Sequence, residues 1–435
     1  MNKFSILTVF LFSLIQISVF AQSAGEYYDG QHIRYDDYVY VENLKSVQLT
    51  RPGFDQSAPF IELNSTGQLL LRFDDLSNQG LTYYYTFIQC NNDWTPSSLM
   101  PMEYIDGMSE DFFNSSFQSF NTTIHYTHYV AKIPSENMKI TKSGNYILKV
   151  YPEGEPDNPV ITRRFYVYEN KVGIDIEYFP ARTPKDQYTK QELFIKVNPN
   201  GYSMPNVYED LTMIVQQNGR KDNMIVRKKP KMITADYLYY NLIGDIVFNG
   251  GNEFRVFDIR SLKTQSARIN TIKYDSAGYE VDLLMDFSRY GKNYLAYQEL
   301  NGRYQVIEWD NTQFNEQVEA DYAYVDFHFK LDSVLENGGI YLLGELTNWR
   351  MDEYSRLAYN PLYGEYTTTL LLKQGYYNYQ YIYVPNGSER GYVGPFEGNH
   401  VETGNTYTVY VYYRDQGQIY DRLIGLSFIN TSDGN

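Results

Sequence analysis

The recurrence of short aromatic and β-branched runs separated by turn residues constrains the fold most. Between Tyr83 and Tyr151 the chain reads YYYTFI, a polar turn at NNDW, IHYTHYVAKI and then NYILKVY. Alternating apolar runs of this length, bounded by Asn, Pro and Gly, are typical of antiparallel strands. Almost no segment sustains the repeat of about 3.6 residues that a helix requires. The sequence therefore predicts an all-β fold.

The strand pattern falls into three groups separated by polar segments. Residues 36–169 hold about seven strands, the number typical of an immunoglobulin-like sandwich. A middle β domain follows over residues 170–311, and a C-terminal early-set-like sandwich over residues 321–427. Residues 22–35 are interpreted as a leader and residues 428–435 as a polar tail. We expect tandem immunoglobulin-like or early-set β-sandwich domains.

The N-terminus predicts export. Lys3 precedes an apolar run from Phe4 to Phe20, and Val19-Phe20-Ala21 provides compact residues before a cleavage point. This arrangement is typical of a cleaved signal peptide over residues 1–21, and the run is too short for a stable membrane span. Cys90 is the single cysteine, so the exported chain cannot form an internal disulfide. We expect a soluble periplasmic protein in which Cys90 is a buried apolar residue.

Charge and tyrosine content narrow the class of partner. The formal net charge of −16 argues against nucleic acid and anionic membrane surfaces, because both require a positive footprint. The chain contains 46 tyrosines, and we expect many to be exposed because so many phenols cannot all find buried partners. Exposed Tyr-rich sheet faces are typical of proteins that bind other proteins or sugars.

No catalytic or metal-binding pattern emerges. His125 and His128 lie three apart in a predicted strand, which places them on opposite faces and excludes a shared metal there. The chain has no G-x-S-x-G elbow, dinucleotide fingerprint or phosphate loop. We therefore predict that it is not an enzyme and has no cofactor or metal. A glycosidase stays open, because its two carboxylates can meet at long range.

The C-terminal domain offers an alternative function. YLLGELTNWRMDEY, followed by the Tyr-rich hairpin GEYTTTLLLKQGYYNYQYIYVPNG, is similar to early-set modules that bind glycogen or starch. Trp349 matches the sugar-stacking Trp of those modules. Gln380 stands where their Lys would be, and Tyr392 is present where a second Trp would follow. We favour a shared fold without shared sugar binding, with a carbohydrate-binding protein using Trp349 as the alternative.

Three motifs in order carry a resemblance over most of the chain. QCNNDWTPSSLMPMEYIDG, NTTIHYTHYVAKIP and GGNEFRVFDIRSL together resemble a Bacteroidota family of exported all-β proteins, now associated with the plug of the type IX secretion system. The resemblance implies a periplasmic protein at the inner face of the outer membrane. It would seal the periplasmic opening of a large outer-membrane β-barrel translocon without inserting into the membrane. Apart from that complex the chain would be monomeric.

The motif residues are candidates for structural or interface roles. They are Asn92, Asp93, Trp94, His128 and Arg260. The resemblance supplies no catalytic residues. Asp93 is expected to accept backbone N–H bonds in its turn, and Trp94 to fill the sandwich edge. Ser276 and Ser333 fit a loose bacterial O-glycosylation pattern, which the sequence leaves undecided.

Overall fold

Strands make up almost all of the regular structure. The computed structural model describes residues 33–240, 243–310, 316–331 and 333–434. In these ranges it contains 31 strands, and each of its four α-helices is four residues long. None of the helices in these ranges has the length and apolarity to cross a membrane. The predicted all-β class is confirmed, whereas the predicted signal peptide and most of the leader lie outside the described residues.

The elements have the following bounds. The strands of the N-terminal third are β1 (Tyr38–Val39), β2 (Leu44–Thr50), β3 (Phe60–Glu62), β4 (Leu69–Asp75), β5 (Tyr83–Cys90), β6 (Ile105–Gly107), β7 (Asp111–Phe112), β8 (Ser115–Gln118), β9 (Thr127–Ile133), β10 (Met138–Ile140), β11 (Gly144–Pro152) and β12 (Ile161–Tyr168). The middle strands are β13 (Gly173–Pro180), β14 (Lys190–Asn198), β15 (Leu211–Gln217), β16 (Ile225–Arg227), β17 (Met232–Ile233), β18 (Leu238–Tyr239), β19 (Val247–Asn249), β20 (Arg255–Asp258), β21 (Ile269–Asp275), β22 (Gly278–Leu283), β23 (Asp286–Phe287) and β24 (Tyr304–Val306). The last strands are β25 (Tyr322–Lys330), β26 (Gly338–Leu343), β27 (Ala358–Asn360), β28 (Glu365–Lys373), β29 (Gly375–Pro385), β30 (Thr406–Tyr413) and β31 (Arg422–Asn430). The helices are α1 (Pro101–Tyr104), α2 (Val207–Asp210), α3 (Glu316–Glu319) and α4 (Gly394–Glu397), with 3₁₀ turns at Glu345–Thr347 and Thr431–Gly434.

The first sandwich is built from β1 to β12. One sheet has the order β1–β12–β11–β5–β7, with β3 running parallel to β12, and the facing sheet has the order β2–β4–β9–β8. Strands β6 and β10 form a separate pair. Inward residues of both sheets, such as Leu71, Phe73, Leu148 and Phe165, are fully buried in one core. This core arises from the period-2 alternation that the sequence shows.

The second and third sandwiches are interleaved along the chain. The second joins the sheet β13–β14–β18–β17, with β19 on β14, to the sheet β16–β15–β30–β31. The third joins β20–β29–β24, with β26 on β29, to β21–β22–β25–β28–β27, with β23 on β25. Each pair of sheets encloses its own apolar core. The third sandwich is thus an insertion between two parts of the second.

The sheets do not follow the predicted division at residues 311–321. β15 pairs with β30 from Leu211 opposite Tyr413 to Gln217 opposite Tyr407. β20 and β24, from the predicted middle domain, pair with β29 of the predicted C-terminal domain. The predicted tail also begins inside β31. Strand pairing thus links the predicted middle domain to the predicted C-terminal domain. That residues 170–311 and 321–427 fold as independent units stays a prediction.

Each pair of sandwiches is joined by buried or half-buried hydrogen bonds. Examples, one for each pair, are Tyr412 to Asn145 (2.7 Å), Lys373 to Asp74 (2.6 Å) and Gly391 to Asp222 (3.1 Å). A stacked pair, Tyr166 on Tyr410 at 4.8 Å between centroids, adds apolar contact between the first and second sandwiches. Satisfied buried polar groups fix one arrangement, since any other would leave them without partners.

Tyrosine burial differs from the expectation. Twelve tyrosines rank among the largest fully buried side chains, and seven of the described tyrosines are exposed. Most of the buried hydroxyls find acceptors, as when Tyr379 and Tyr381 both donate to Asp286 (2.6 and 3.0 Å), whereas the hydroxyls of Tyr240 and Tyr413 have none among the described residues. The expected abundance of exposed tyrosine is therefore wrong. Carboxylates and backbone carbonyls inside and between the sandwiches accept their hydrogen bonds.

Candidate functional site

A run of exposed large apolar side chains lies on the first sandwich. Residues 100–120 carry six exposed large apolar side chains: Met100, Met102, Met108, Phe112, Phe117 and Phe120. We call this set the Met/Phe ridge. Contiguous exposed apolar residues mark interaction sites more often than scattered ones do. The ridge is therefore the candidate site for a protein partner.

Helix α1 directs part of the ridge outward. Pro101 occupies its first turn, and the Glu103 carboxylate accepts the Met100 backbone N–H at 2.6 Å. Tyr104 turns inward and donates to the Phe87 carbonyl at 3.1 Å. In a single helical turn this arrangement leaves Met102 pointing away, and its side chain is 82% exposed.

Phe112 extends the ridge along the sheet edge. β7 pairs with β5 so that Phe112 lies opposite Tyr84, and their ring centroids are 5.8 Å apart. Tyr84 also stacks on Tyr151 at 6.5 Å, and Tyr151 donates to Glu110. Together these rings form an aromatic row on the outer face of the sheet, in which Phe112 is exposed, Tyr84 is half-buried and Tyr151 is buried.

Phe117 and Phe120 carry the ridge onto the second sheet. β8 is an edge strand, and Phe117 lies opposite His128 in its pairing with β9. Phe117 is 51% exposed, whereas His128 is buried. The backbone N–H of Phe120 donates to the Val318 carbonyl at 2.9 Å, next to the third sandwich. The ridge therefore ends at the junction of two sandwiches.

In the Asn92-Asp93-Trp94 turn, Asp93 makes hydrogen bonds within the turn and Asn92 makes hydrogen bonds to the second sandwich. Asp93 accepts the Thr95 backbone N–H (3.0 Å) and hydroxyl (2.6 Å). Burial alone would raise the pKa of Asp93, but these bonds more than offset it and the pKa lies below its usual value. The backbone and side-chain amides of Asn92 both donate to Asp421 of the second sandwich (2.9 and 2.7 Å).

Trp94 is buried under the turn. It adopts a positive φ of 68° and packs edge-on against Tyr166 at 5.2 Å. The Arg164 guanidinium lies 4.2 Å from the centre of the Trp94 rings. The ring closes one end of the outer sheet face beside Cys90, so it is not available to a partner at the surface.

His128 belongs to a buried ionic cluster between the first and third sandwiches. Asp74 accepts bonds from His128 (2.5 Å), Lys373 (2.6 Å) and the Tyr322 hydroxyl (2.7 Å). Burial lowers the pKa of His128 and of Lys373. Burial opposes ionisation of Asp74 as well, but the Lys373 charge and the His128 bond more than offset it and its pKa lies below the usual range. This Asp74 cluster holds two sandwiches together.

Arg260 lies far from the other motif residues, at a turn of the third sandwich. Its guanidinium donates to both carboxylate oxygens of Asp258 (2.9 and 2.5 Å) and lies 3.5 Å from the centre of the Trp309 rings. Trp309 is itself exposed. The structure therefore does not bring the five motif residues into one site.

Trp349, the residue of the carbohydrate alternative, is half-buried near the meeting point of the three sandwiches. Its ring lies edge-on to Phe254 at 6.0 Å. Gln380 is buried and donates to the Asn252 carbonyl at 2.6 Å, so it cannot reach a surface ligand. Tyr392 is exposed on the strand bridge to Tyr383. Carbohydrate binding through Trp349 stays a prediction, because Trp349, Gln380 and Tyr392 do not form one exposed stacking surface.

The described side chains include no clustered set of metal ligands, and the thiol of Cys90 is buried. No group of three or more His, Cys, Asp or Glu side chains is arranged to hold a metal within the described ranges. His125 is exposed and precedes β9, whereas His128 is buried within it, so the two do not share the single strand that the sequence predicts. Burial raises the pKa of the Cys90 thiol to about 12, which keeps it protonated and unreactive at neutral pH.

Sequence reasoning missed the Met/Phe ridge and the Asp74 cluster. The ridge has a weak signal, because apolar residues at 100, 102, 108, 112, 117 and 120 follow neither a strand nor a helix period. Apolar residues outside any period are not directed toward a core. The Asp74 cluster has no sequence signal, since Lys373 lies about 300 residues along the chain from Asp74.

Comparisons with known proteins agree with the architecture. Residues 44–169 match the model of the type 9 secretion system plug protein first domain. The chain is 33% identical to a hypothetical protein from Parabacteroides merdae ATCC 43184, known from a crystal structure, with a TM-score of 0.88 over 92% of this chain and 100% of that one. No curated protein matches. The family match covers the first sandwich, including the Met/Phe ridge, and the chain belongs to the type 9 secretion system plug protein family.

Proposed function

We propose that this chain is a non-enzymatic periplasmic plug that binds the periplasmic opening of the type IX outer-membrane translocon and seals its pore. The Met/Phe ridge is the observation that carries the proposal, because it gives the family-matched domain an apolar docking surface. A seal needs a partner-binding face on a body that does not deform. The ridge supplies the first requirement.

The junctions between sandwiches support the second requirement. Asp74 and Lys373 are both almost completely buried where they link the first and third sandwiches. Tyr412 and Asn145 are likewise buried between the first and second. Hinge motion would have to expose or unpair these groups, which is costly for buried polar atoms. The three sandwiches are therefore expected to move as one body.

Reversible binding fits the size and composition of the ridge. Its methionines are flexible and polarisable and adapt to irregular surfaces, while its phenylalanines provide defined anchors. Exposed polar residues, among them Glu103, Asp106 and Gln118, lie between the ridge residues along the chain. An apolar centre with a polar rim is the anatomy of interfaces that form and dissociate.

Affinity purification tests the proposal directly. The tagged mature chain, recovered from detergent-solubilised outer membranes, should bring down one very large barrel protein. Met102→Glu and Phe112→Glu should each reduce recovery by about 30-fold or more, the effect of losing an interface anchor worth about 2 kcal/mol. Leu362→Glu is the control, since Leu362 is about as exposed as Met102 and lies on the third sandwich, outside the ridge.

A permeability assay tests the sealing step separately. Deleting the gene should admit large antibiotics through the open pore while some secretion continues. Complementation with wild type or Leu362→Glu should restore exclusion, and complementation with Phe112→Glu should not. Exclusion that is intact in the deletion strain, together with no barrel recovered, would refute the plug.

A further inference from the structure

A cavity lies where the three sandwiches meet. It measures about 140 Å³ and is lined by residues of all three sandwiches. Residues that matter to its chemistry are Arg163, Arg303, Gln216, Asn348, Trp349 and Tyr410. It adjoins a larger cleft of about 300 Å³, with which it shares Val47, Glu345 and Asn348.

Two arginines face this cavity without a carboxylate in ion-pair contact among the described residues. Arg163 donates only to neutral acceptors, namely the Thr162 and Val47 carbonyls (3.1 and 3.2 Å) and Asn348 Oδ1 (2.9 Å). The guanidinium of Arg303 donates to no described residue, although it lines the cavity. Burial lowers the pKa of both groups, the direction expected of cations removed from water.

The other charged groups at the cavity do not neutralise this pair. Lys221 is paired with Asp36 and Asp37, and Arg164 with Asp36. Glu345 is the remaining acid, and its Oε2 accepts the Tyr304 backbone N–H at 3.2 Å. Burial raises the pKa of Glu345 despite the nearby Arg303, which favours its neutral form. An excess of positive charge is thus enclosed in a protein that is acidic overall.

The remaining lining suits an anion with a small organic body. Tyr410 donates to Gln216 Oε1 at 2.8 Å, which fixes the amide, and Gln216 Nε2 donates to Gly219. The half-buried Trp349 and the stacked pair of Tyr166 and Tyr410 provide flat apolar walls. Guanidinium groups bind carboxylate and phosphate oxygens through two parallel N–H donors, and a single water molecule cannot accept both bonds in this geometry.

We propose that this cavity is a binding site for a small oxyanion, a carboxylate or phosphate group, held by Arg163 and Arg303. The ligand would contact residues from all three sandwiches and so fasten them together. Its volume limits the occupant to the anionic group and a short attached body. The proposal is independent of the plug role, because no residue of the Met/Phe ridge lines the cavity.

Titration of purified mature protein with inorganic phosphate and with succinate, at constant ionic strength and pH, tests the site. Calorimetry should detect 1:1 binding of at least one of them, and Trp349 fluorescence should change in parallel. Phosphate alone would assign a phosphate ligand, and succinate alone a carboxylate. Arg303→Met should weaken binding by about tenfold or more. Arg390→Met, an exposed arginine elsewhere, should leave it unchanged.

Two further measurements keep the result decisive. Trp349→Phe should abolish the fluorescence change, while calorimetry should still detect binding. This outcome would place the ligand in the cavity, because it would show that the fluorescence change comes from Trp349. Wild-type crystals soaked in the bound anion should show it in contact with Arg303, a result that holds even if Arg303→Met does not fold. Absence of binding by both anions, or equal binding by Arg303→Met and wild type, would overturn the proposal and leave the arginines a structural role.

Discussion

Replacing Lys373 by Met should destabilise the protein strongly, because it leaves a buried carboxylate without its cation. The Lys373 ammonium donates to Asp74 at 2.6 Å and to the Gln317 carbonyl at 2.7 Å, and both charged side chains are at most 1% exposed. Methionine fills a similar volume, so the change mainly removes charge. Breaking one partner of a buried ion pair costs about 3–5 kcal/mol. We expect a loss of that order at pH 8, measured by equilibrium urea unfolding.

The pH dependence of this loss provides an independent check. In the wild type, burial and then the nearby Lys373 charge lower the pKa of His128, so the folded protein loses stability as pH falls below the unfolded His value of about 6.5. Without Lys373 one of the charges that lower this pKa is gone, so the folded pKa of His128 moves up toward the unfolded value. The variant should then lose less stability on acidification than the wild type does. The penalty of Lys373→Met should therefore be smaller at pH 6 than at pH 8.

Two controls separate the ionic contribution from general disruption. Lys273→Met removes a lysine from an exposed ion pair with Glu280 at 3.5 Å, and exposed pairs contribute about 0–1 kcal/mol. Asp74→Asn combined with Lys373→Met removes both charges and should recover part of the loss. The reasoning fails if Lys373→Met costs no more than Lys273→Met, or if its penalty grows on acidification.

Three further outcomes are expected. His128→Asn keeps a donor toward Asp74 but cannot titrate. The wild type loses stability as pH falls below about 6.5, because the pKa of His128 is lowered in the folded protein. The urea unfolding midpoint of the variant should therefore vary less between pH 7 and 5 than that of the wild type. Tyr412→Phe removes the hydroxyl that donates to Asn145 and should cost about 1–3 kcal/mol in urea unfolding, whereas Tyr363→Phe, at an exposed turn, should cost nothing measurable. Cys90 should resist alkylation by iodoacetamide in the native protein at pH 8 and react fully in urea, since its thiol is buried with a pKa of about 12; rapid native labelling would contradict the burial.

The local pattern of the sequence predicts strands well because alternation is a local property. In β22, Val281 and Leu283 are buried while Glu280 and Asp282 are less so, as period 2 requires. Asp93 makes the backbone bond that its place in a polar turn predicts. Each of these features depends on neighbours within a few residues.

The pairing of strands, and of charged side chains, that are distant in the sequence could not be predicted in this way. Nothing near β15 indicates that its partner is β30, and β22 pairs in parallel with β25 across a long excursion of chain. The candidate surface was likewise missed, because exposure depends on what the rest of the chain leaves uncovered. The five motif residues serve separate turns and junctions, and the contacts that decide this are made with distant parts of the chain.

The insertion of the third sandwich into the second sets an order of folding during synthesis. The first sandwich is complete once Tyr168 has emerged, so it can fold early. β15 must wait for β30 until everything from Gly250 to Asn405 has been made, on the order of ten seconds or more at about 5–20 residues per second. Throughout that interval one long edge of β15 stays open, and an unpaired strand edge readily joins another chain. The nascent protein therefore depends on being shielded, or kept extended, until its last strands arrive.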